Sequence, residues 1–356
     1  MDIRKLLGEM VAKNASDLFF RAGGTPRLRI DGKIVAMDTR ILSVEDVMLA
    51  VEQLANTKQL EVFRNNLDVD FAVYLEEFGR RFRVSLFTQR NWPSIVIRNV
   101  RNTISTFEEL NLPAEVLKKL SMESRGLVLL TGSMGSGKST TIASMIEYIN
   151  SNSKKHILTA EEPIELTFAD KQSIINQREL GIDVKDYPTA LRAFTLQSPD
   201  VMFIGNIRDY ETVSSAIAAA ETGVLVLSTL HTINASQSVE RLINFFPPHQ
   251  HQEVKNQLST LLKGVISLRL IPAKDGNRIP AYEVMLLTPT ISRLIREGKI
   301  WEIPDFIEEG GVFGMQSFTQ SLVKLVNEGK ITLEDAALAA DSREEFMLAY
   351  RGIKKS

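Results

Sequence analysis

Gly132-Ser133-Met134-Gly135-Ser136-Gly137-Lys138-Ser139 matches the pattern G-x-x-x-x-G-K-[ST], and no other eight residues constrain the chain as tightly. Leu127-Val128-Leu129-Leu130 precedes it, a continuous apolar run of the kind that forms a strand buried on both faces. Residues 140–148 follow with helical period. Strand, glycine turn and helix form the setting in which backbone N–H groups curl around an anion at a helix N-terminus. The spacing therefore predicts a phosphate cradle of Gly132, Ser133, Gly135, Ser136, Gly137, Lys138, Ser139 and Thr140. Lys138 is expected to reach the β- and γ-phosphates of a nucleoside triphosphate, and Ser139 to ligate Mg²⁺.

Downstream, residues 156–159, 201–204 and 224–228 are further short buried runs separated by helical stretches, the grammar of a parallel α/β sheet. Beyond about residue 236 the pattern is mostly helical, with 242–246 and 281–287 as interruptions. The first hundred residues read differently. An amphipathic helix (Ile3, Leu6, Leu7, Met10, Val11) leads to a short strand at 17–20. Asp31-Gly32 signals a hairpin between 28–30 and 33–35. Residues 42–65 are helical in period, and 69–75, 81–89 and 94–100 are strand-like. At 356 residues the chain has room for two domains. The expectation is an α+β domain over 1–100, a linker over 101–113, and a P-loop α/β domain over 114–356 with a helical C-terminal part. Lys354-Lys355 reads as a frayed tail.

Lys and Arg number 42 against 44 Asp and Glu, so no global charge draws the chain to nucleic acid. The absence of cysteine excludes disulfides, thiol catalysis and cysteine-based zinc sites. The charged N-terminus does not read as a secretory signal, and no apolar stretch is long enough to span a membrane. A cytoplasmic location is expected, with any membrane association made through protein partners.

A P-loop alone does not distinguish kinases, GTPases and motors. Ser198-Pro199-Asp200-Val201-Met202-Phe203-Ile204-Gly205-Asn206 is an apolar strand ending at a polar residue, the position that in many P-loop enzymes carries a carboxylate beside the metal. Asn206 is neutral and cannot act as a base.

The full set of motifs resembles the PilT/PilU family of type IV pilus retraction ATPases, within the secretion ATPase superfamily. The likeness runs from Ala15-Ser16-Asp17-Leu18 and Arg29-Ile30-Asp31-Gly32 through Arg81-Phe82-Arg83-Val84, the P-loop and Glu162-Pro163-Ile164-Glu165. It continues through Asn176-Gln177-Arg178-Glu179, Ala220-Glu221-Thr222-Gly223, Thr229-Leu230-His231-Thr232 and Gly314-Met315-Gln316-Ser317-Phe318. Residues 241–247 are more similar to the PilU branch. The resemblance implies a PAS-like α+β N-terminal domain and a RecA-like ATPase domain, assembled as a homohexamer with ATP between subunits. It also implies a PilT-type retraction ATPase and an inner-membrane pilus platform protein as partners, and no nucleic acid. Glu165 matches the family's catalytic glutamate, which activates water, and His231 the histidine of its His box. Arg83 and Arg98 match N-terminal-domain arginines that reach nucleotide phosphates. Residues 291–297 match the C-terminal retraction motif, and as a helix would put Ile291, Leu294 and Ile295 on one face.

Three positions depart from that pattern. Asn206 stands where the family has a Walker B glutamate, Val224 where the His box usually begins with histidine, and Leu196 where an arginine is usual. Losing one transition-state contact costs on the order of 10²–10³ in rate. The expectation is an accessory motor subunit that binds ATP and hydrolyses it weakly, unless a carboxylate such as Glu161 substitutes. The alternatives are a nucleotide-gated scaffold for a PilT-type ring and a secretion or pilus-assembly ATPase. The lack of a four-cysteine zinc insert and the short chain count against the assembly ATPase.

Overall fold

A computed structural model describes residues 2–30, 32–37, 40–100 and 103–353. The chain divides into two compact units, Met1–Thr103 with Glu165–Thr167, and Ile104–Ile164 with Phe168–Ser356.

The N-terminal unit runs α1 (Ile3–Ala12), β1 (Asp17–Arg21), β2 (Arg27–Ile30), β3 (Lys33–Ala36), α2 (Val44–Leu54), α3 (Thr57–Asn66), β4 (Asp68–Leu75), β5 (Arg80–Gln89) and β6 (Trp92–Asn99). Its strands form an antiparallel sheet in the order β3-β2-β1-β6-β5-β4. Alternate residues (Leu18, Phe20, Phe82, Val84, Ile95, Ile97) turn inward with Ile3, Leu7 and Val47 to make one core. Apolar and polar residues therefore alternate as they should on a sheet with one covered face. The helical run at 42–65 is two helices rather than one. Asn56 breaks it, because its side chain and that of Gln59 form a capping box at the start of α3. The expected turn at Asp31 and the linker residue Arg101 lie outside the described residues, as do Lys354 and Lys355.

The second unit runs α4 (Ala114–Ser121), β7 (Gly126–Thr131), α5 (Lys138–Asn152), β8 (His156–Glu161), β9 (Ile174–Glu179), α6 (Tyr187–Thr195), β10 (Val201–Ile204), α7 (Tyr210–Glu221), β11 (Leu225–Leu230), α8 (Ala235–Asn244), α9 (His251–Leu261), β12 (Leu262–Pro272) and β13 (Arg278–Leu286). It ends in α10 (Pro289–Glu297), α11 (Ile303–Glu309), α12 (Phe318–Asn327), α13 (Leu333–Ala339) and α14 (Arg343–Tyr350). The sheet order is β13-β12-β7-β11-β10-β8-β9, parallel from β12 to β9 with β13 antiparallel at the edge. Helices cover both faces, and two apolar clusters fill the layers on either side of β7, β10 and β11. The two-part α/β architecture expected from the sequence is present.

Three sequence expectations differ. Residues 262–272 are not helical. They form β12, an eleven-residue strand between β7 and β13. Because both its faces are buried along 264–268, it shows no alternation to separate it from a buried helix. Residues 242–246, expected to interrupt the helices, instead close α8, with Leu242 and Ile243 on its buried face. The segment 104–113, read as a linker, packs Phe107 and Leu112 into the core beneath β7, and Ser105 O accepts a hydrogen bond from Ser144 Oγ at 2.7 Å. In α10, Ile291, Leu294 and Ile295 are buried and Arg293, Arg296 and Glu297 are exposed, the face read from the sequence.

Candidate nucleotide site

The glycine loop joins β7 to α5 at the carboxyl end of the parallel strands, where open α/β sheets bind ligands. Gly132, at φ 141°, needs to be glycine. A Cβ there would lie 2.5 Å from both the Leu268 carbonyl oxygen and Ser136 Oγ. Gly137, at φ 102°, caps the 15-residue α5 without a side-chain acceptor, which leaves the first N–H groups of the helix to a ligand. Ser136 Oγ is buried and has no hydrogen-bond partner. Ser133, Gly135, Ser139 and Thr140 face outward. Lys138 is 8% exposed, and its Nζ donates to the carbonyls of Gly132 (2.7 Å) and Ser133 (2.8 Å). The loop thus offers a helix N-terminus, an orphaned hydroxyl and a cation held by its own backbone. This donor set fits a polyphosphate, with Ser139 free to face its metal.

His231, on the turn after β11, hydrogen-bonds to the backbone of Gly132. Partial desolvation first, and the Lys138 charge second, lower the pKa of its imidazole from the ordinary histidine value. Lys138 and His231 therefore converge on one residue of the loop.

Two strands away, Gly205 and Asn206 follow the end of β10. Gly205 N–H donates to Ala160 O (2.8 Å), and its carbonyl accepts from Thr229 Oγ1 (2.6 Å). The Tyr187 hydroxyl accepts from the Asn206 backbone, and burial above all pushes that phenol well above its ordinary range. Asn206 Oδ1 is buried and has no hydrogen-bond partner. Two buried carboxylates are paired at the ends of the neighbouring strands β8 and β9: Glu179, 3% exposed, and Glu161, 8% exposed, whose Oε1 accepts from Thr159 Oγ1 (2.6 Å) and Gln177 Nε2 (3.0 Å). Arg208 pairs with Glu162 at 2.7 Å. The other two departures lie differently. Val224 is buried in the core, and Leu196 is 87% exposed at the end of α6.

The remaining candidates belong to the N-terminal unit. Glu165 is exposed after β8, and residues 165–167 divide with the N-terminal unit. Arg83 and Arg98 are direct cross-strand partners on β5 and β6. Arg98 Nε lies 3.0 Å from Asp17 Oδ1, while Asp17 Oδ2 holds Arg29, and Arg83 Nη2 lies 3.7 Å from Asp70 Oδ2. Both arginines are more than a third exposed, and such pairs are worth about 1 kcal/mol or less, so they can be exchanged for another anion at little cost.

Sequence reasoning missed one group next to the loop, the buried hydroxyl and carboxylate series Thr131, Ser267 and Glu283. A Glu inside an apolar strand, Tyr282-Glu283-Val284, was the available signal.

Comparison with known proteins places this geometry in a family. The model of the family described as Type II/IV secretion system protein matches residues 1–279. The type IV pilus ATPase PilU of Pseudomonas aeruginosa is 42% identical over 352 residues, covering 99% of this chain and 92% of that protein. PilT of the same organism, a type IV pilus retraction ATPase, is 39% identical over 346 residues, 97% of this chain and 100% of PilT. The crystal structure of the pilus retraction motor PilT with bound ADP superimposes with a TM-score of 0.91 at 41% identity, covering 97% of this chain and 98% of that one. Matched along nearly its whole length by these relatives, the chain belongs to the Type II/IV secretion system protein family.

Proposed function

We propose that this chain is an ATP-hydrolysing motor subunit for type IV pilus retraction, the process behind twitching motility, and that it acts as an accessory with weak hydrolysis. The observation that carries this reading is the P-loop itself. Lys138 and His231 meet on Gly132 at the N-terminus of α5, in a chain that aligns along nearly its whole length with PilU and PilT. The 132–140 loop binds the phosphates of ATP. Ser139 would hold Mg²⁺, whose charge offsets that of the β- and γ-oxygens. Glu165 orients the attacking water and takes its proton as the oxygen bonds the γ-phosphorus. The bond to the bridging oxygen breaks, and ADP leaves with the electron pair. Arg83 and Arg98 are the cations that a neighbouring subunit of a homohexamer supplies. The remaining partners are a PilT-type retraction ATPase and an inner-membrane pilus platform protein, through which the subunit is held at the membrane. No helix among the described residues is long and apolar enough to cross one.

Reduced turnover follows from two features. Asn206 brings no charge to the end of β10, and Glu161, the nearby buried carboxylate, has an oxygen already engaged by Thr159 and Gln177. The same features favour a second reading, a nucleotide-gated scaffold that structures a PilT-type ring. Phosphate release by the purified protein, alone and with an active PilT-type partner, separates them. An accessory motor shows slow turnover that rises beside the partner. A scaffold shows binding and no turnover of its own.

A further inference from the structure

Glu283 lies on β13, the edge strand of the sheet, 8% exposed and away from the phosphate loop in sequence. Its Oε1 accepts a 2.6 Å hydrogen bond from the backbone N–H of Ala235, the first residue of α8. It also accepts from Ser267 Oγ at 3.3 Å, and Ser267 Oγ accepts in turn from Thr131 Oγ1 at 2.9 Å. Thr131 and Ser267 are fully buried. Thr131 is the residue before Gly132, and Ala235 follows the turn that begins at His231. His231 itself hydrogen-bonds to Gly132. The contacts therefore close into a ring running from Gly132 through Thr131, Ser267, Glu283, Ala235 and the 231–234 turn to His231, and back to Gly132.

We infer that Glu283 is a positioning residue that sets the His231 turn against the phosphate loop. This inference rests on the proposed role of that loop in ATP hydrolysis. A helix-capping role alone needs only the Ala235 contact. Asn234 already caps α8 by accepting from Gln237 N–H, and the hydroxyl bridge to Thr131 serves no cap. A carboxylate is costly to bury, and an apolar residue at 283 would pack here without that cost. Glu283 instead ties the two segments that carry Lys138 and His231. Arg269 holds the middle of the same turn, donating to the Ile233 carbonyl (3.4 Å) while it pairs with Asp341 (2.6 Å).

The test compares Glu283→Ala, Glu283→Gln and Ser267→Ala in the full chain. Three readouts are taken: ATP affinity, turnover, and hydrogen exchange followed by mass spectrometry. In Glu283→Ala, kcat should fall about 10- to 100-fold while the ATP dissociation constant moves less than about 3-fold, since a misplaced group costs rate while the phosphate contacts persist. Exchange should quicken over residues 231–238 and stay unchanged in α9. Glu283→Gln keeps an acceptor for Ala235 and should restore most of kcat, whereas Ser267→Ala, which cuts only the bridge, should lower kcat several-fold. Exchange that rises evenly across the unit, or equal loss of affinity and rate, overturns the inference. So does a Ser267→Ala protein with unchanged kcat, an outcome that stays informative if Glu283→Ala does not fold. If the unaltered protein binds ATP with no turnover, the hydrolysis reading fails. The exchange pattern then decides alone: quickening confined to 231–238 supports the inference, and its absence overturns it.

Discussion

The Lys138 ammonium lies 2.7 Å from the carbonyl oxygen of Gly132, six residues earlier on the loop it is meant to serve. On the proposed function the cation is thus stored against the backbone that would face the phosphates, and binding would exchange carbonyl partners for phosphate oxygens. Lys138→Ala deletes the lysine of the loop. We expect ATP turnover to drop by about 100-fold or more, with the unfolding temperature without nucleotide nearly unchanged. Turnover and ATP affinity equal to those of the unaltered protein would refute the assignment of the loop.

Arg83 and Arg98 give a second prediction. They share a rung of the N-terminal sheet, and each is held by an aspartate it can release cheaply. If a neighbouring subunit supplies them, ATP should favour a hexamer, and Arg83→Ala or Arg98→Ala should lower turnover about 10-fold or more without lowering the unfolding temperature. Light scattering with ATP measures the assembly. A monomer at every concentration with ATP present sinks this arrangement.

A third prediction follows from Glu283, whose burial pushes its carboxyl up from an ordinary 4.5 to about 7. Arg269 from β12 pulls the other way, and Asp341 adds to the rise. The folded chain then holds a proton that the unfolded chain has lost, so stability falls as pH rises from about 4.5 to about 7 and levels off above. The span is on the order of 3 kcal/mol. Glu283→Gln removes this dependence. Urea denaturation of both proteins from pH 4.5 to 8 should show the variant gaining on the unaltered protein as pH rises. A constant difference across that range would mean that Glu283 keeps an ordinary acidity.

The phosphate loop, its strand and its helix were legible because glycine spacing and a fully apolar strand leave few alternatives. The single inward face of α10 was legible for the same kind of reason, since Ile291, Leu294 and Ile295 fall at helical spacing. β12 was not, because a strand buried on both sides loses its alternation. β9 was not read as a strand either, since Asn176, Gln177, Arg178 and Glu179 give it a polar sequence at the sheet edge. The ring through Glu283 joins residues 131, 235, 267 and 283, and no local pattern announces a contact made by four distant segments.

Asn206 supports the fourth prediction. Its Oδ1 is buried just beyond the end of β10 without a hydrogen-bond partner, its backbone donates to the Tyr187 hydroxyl, and its side chain brings no charge. Asn206→Glu is nearly the same shape with one more methylene, and it puts a carboxylate just beyond the end of β10. The P-loop supplies most ground-state contacts, so ATP affinity should change less than about 3-fold while kcat rises about 10-fold or more. Glu161 is the competitor. If the unaltered protein already turns over ATP rapidly and Asn206→Glu changes nothing, while Glu161→Gln abolishes turnover, then Glu161 has taken over the task and the accessory reading falls. If Asn206→Glu stays inert, the loss reaches beyond this one charge, to Leu196 on the surface of α6 and Val224 in the core, and scaffolding becomes the better account. Cells whose own copy is replaced by Asn206→Glu or Lys138→Ala then report through twitching. Retraction that survives Lys138→Ala beside an active PilT-type ATPase means that hydrolysis by this subunit is dispensable, and retraction lost with it means that nucleotide turnover here moves the pilus.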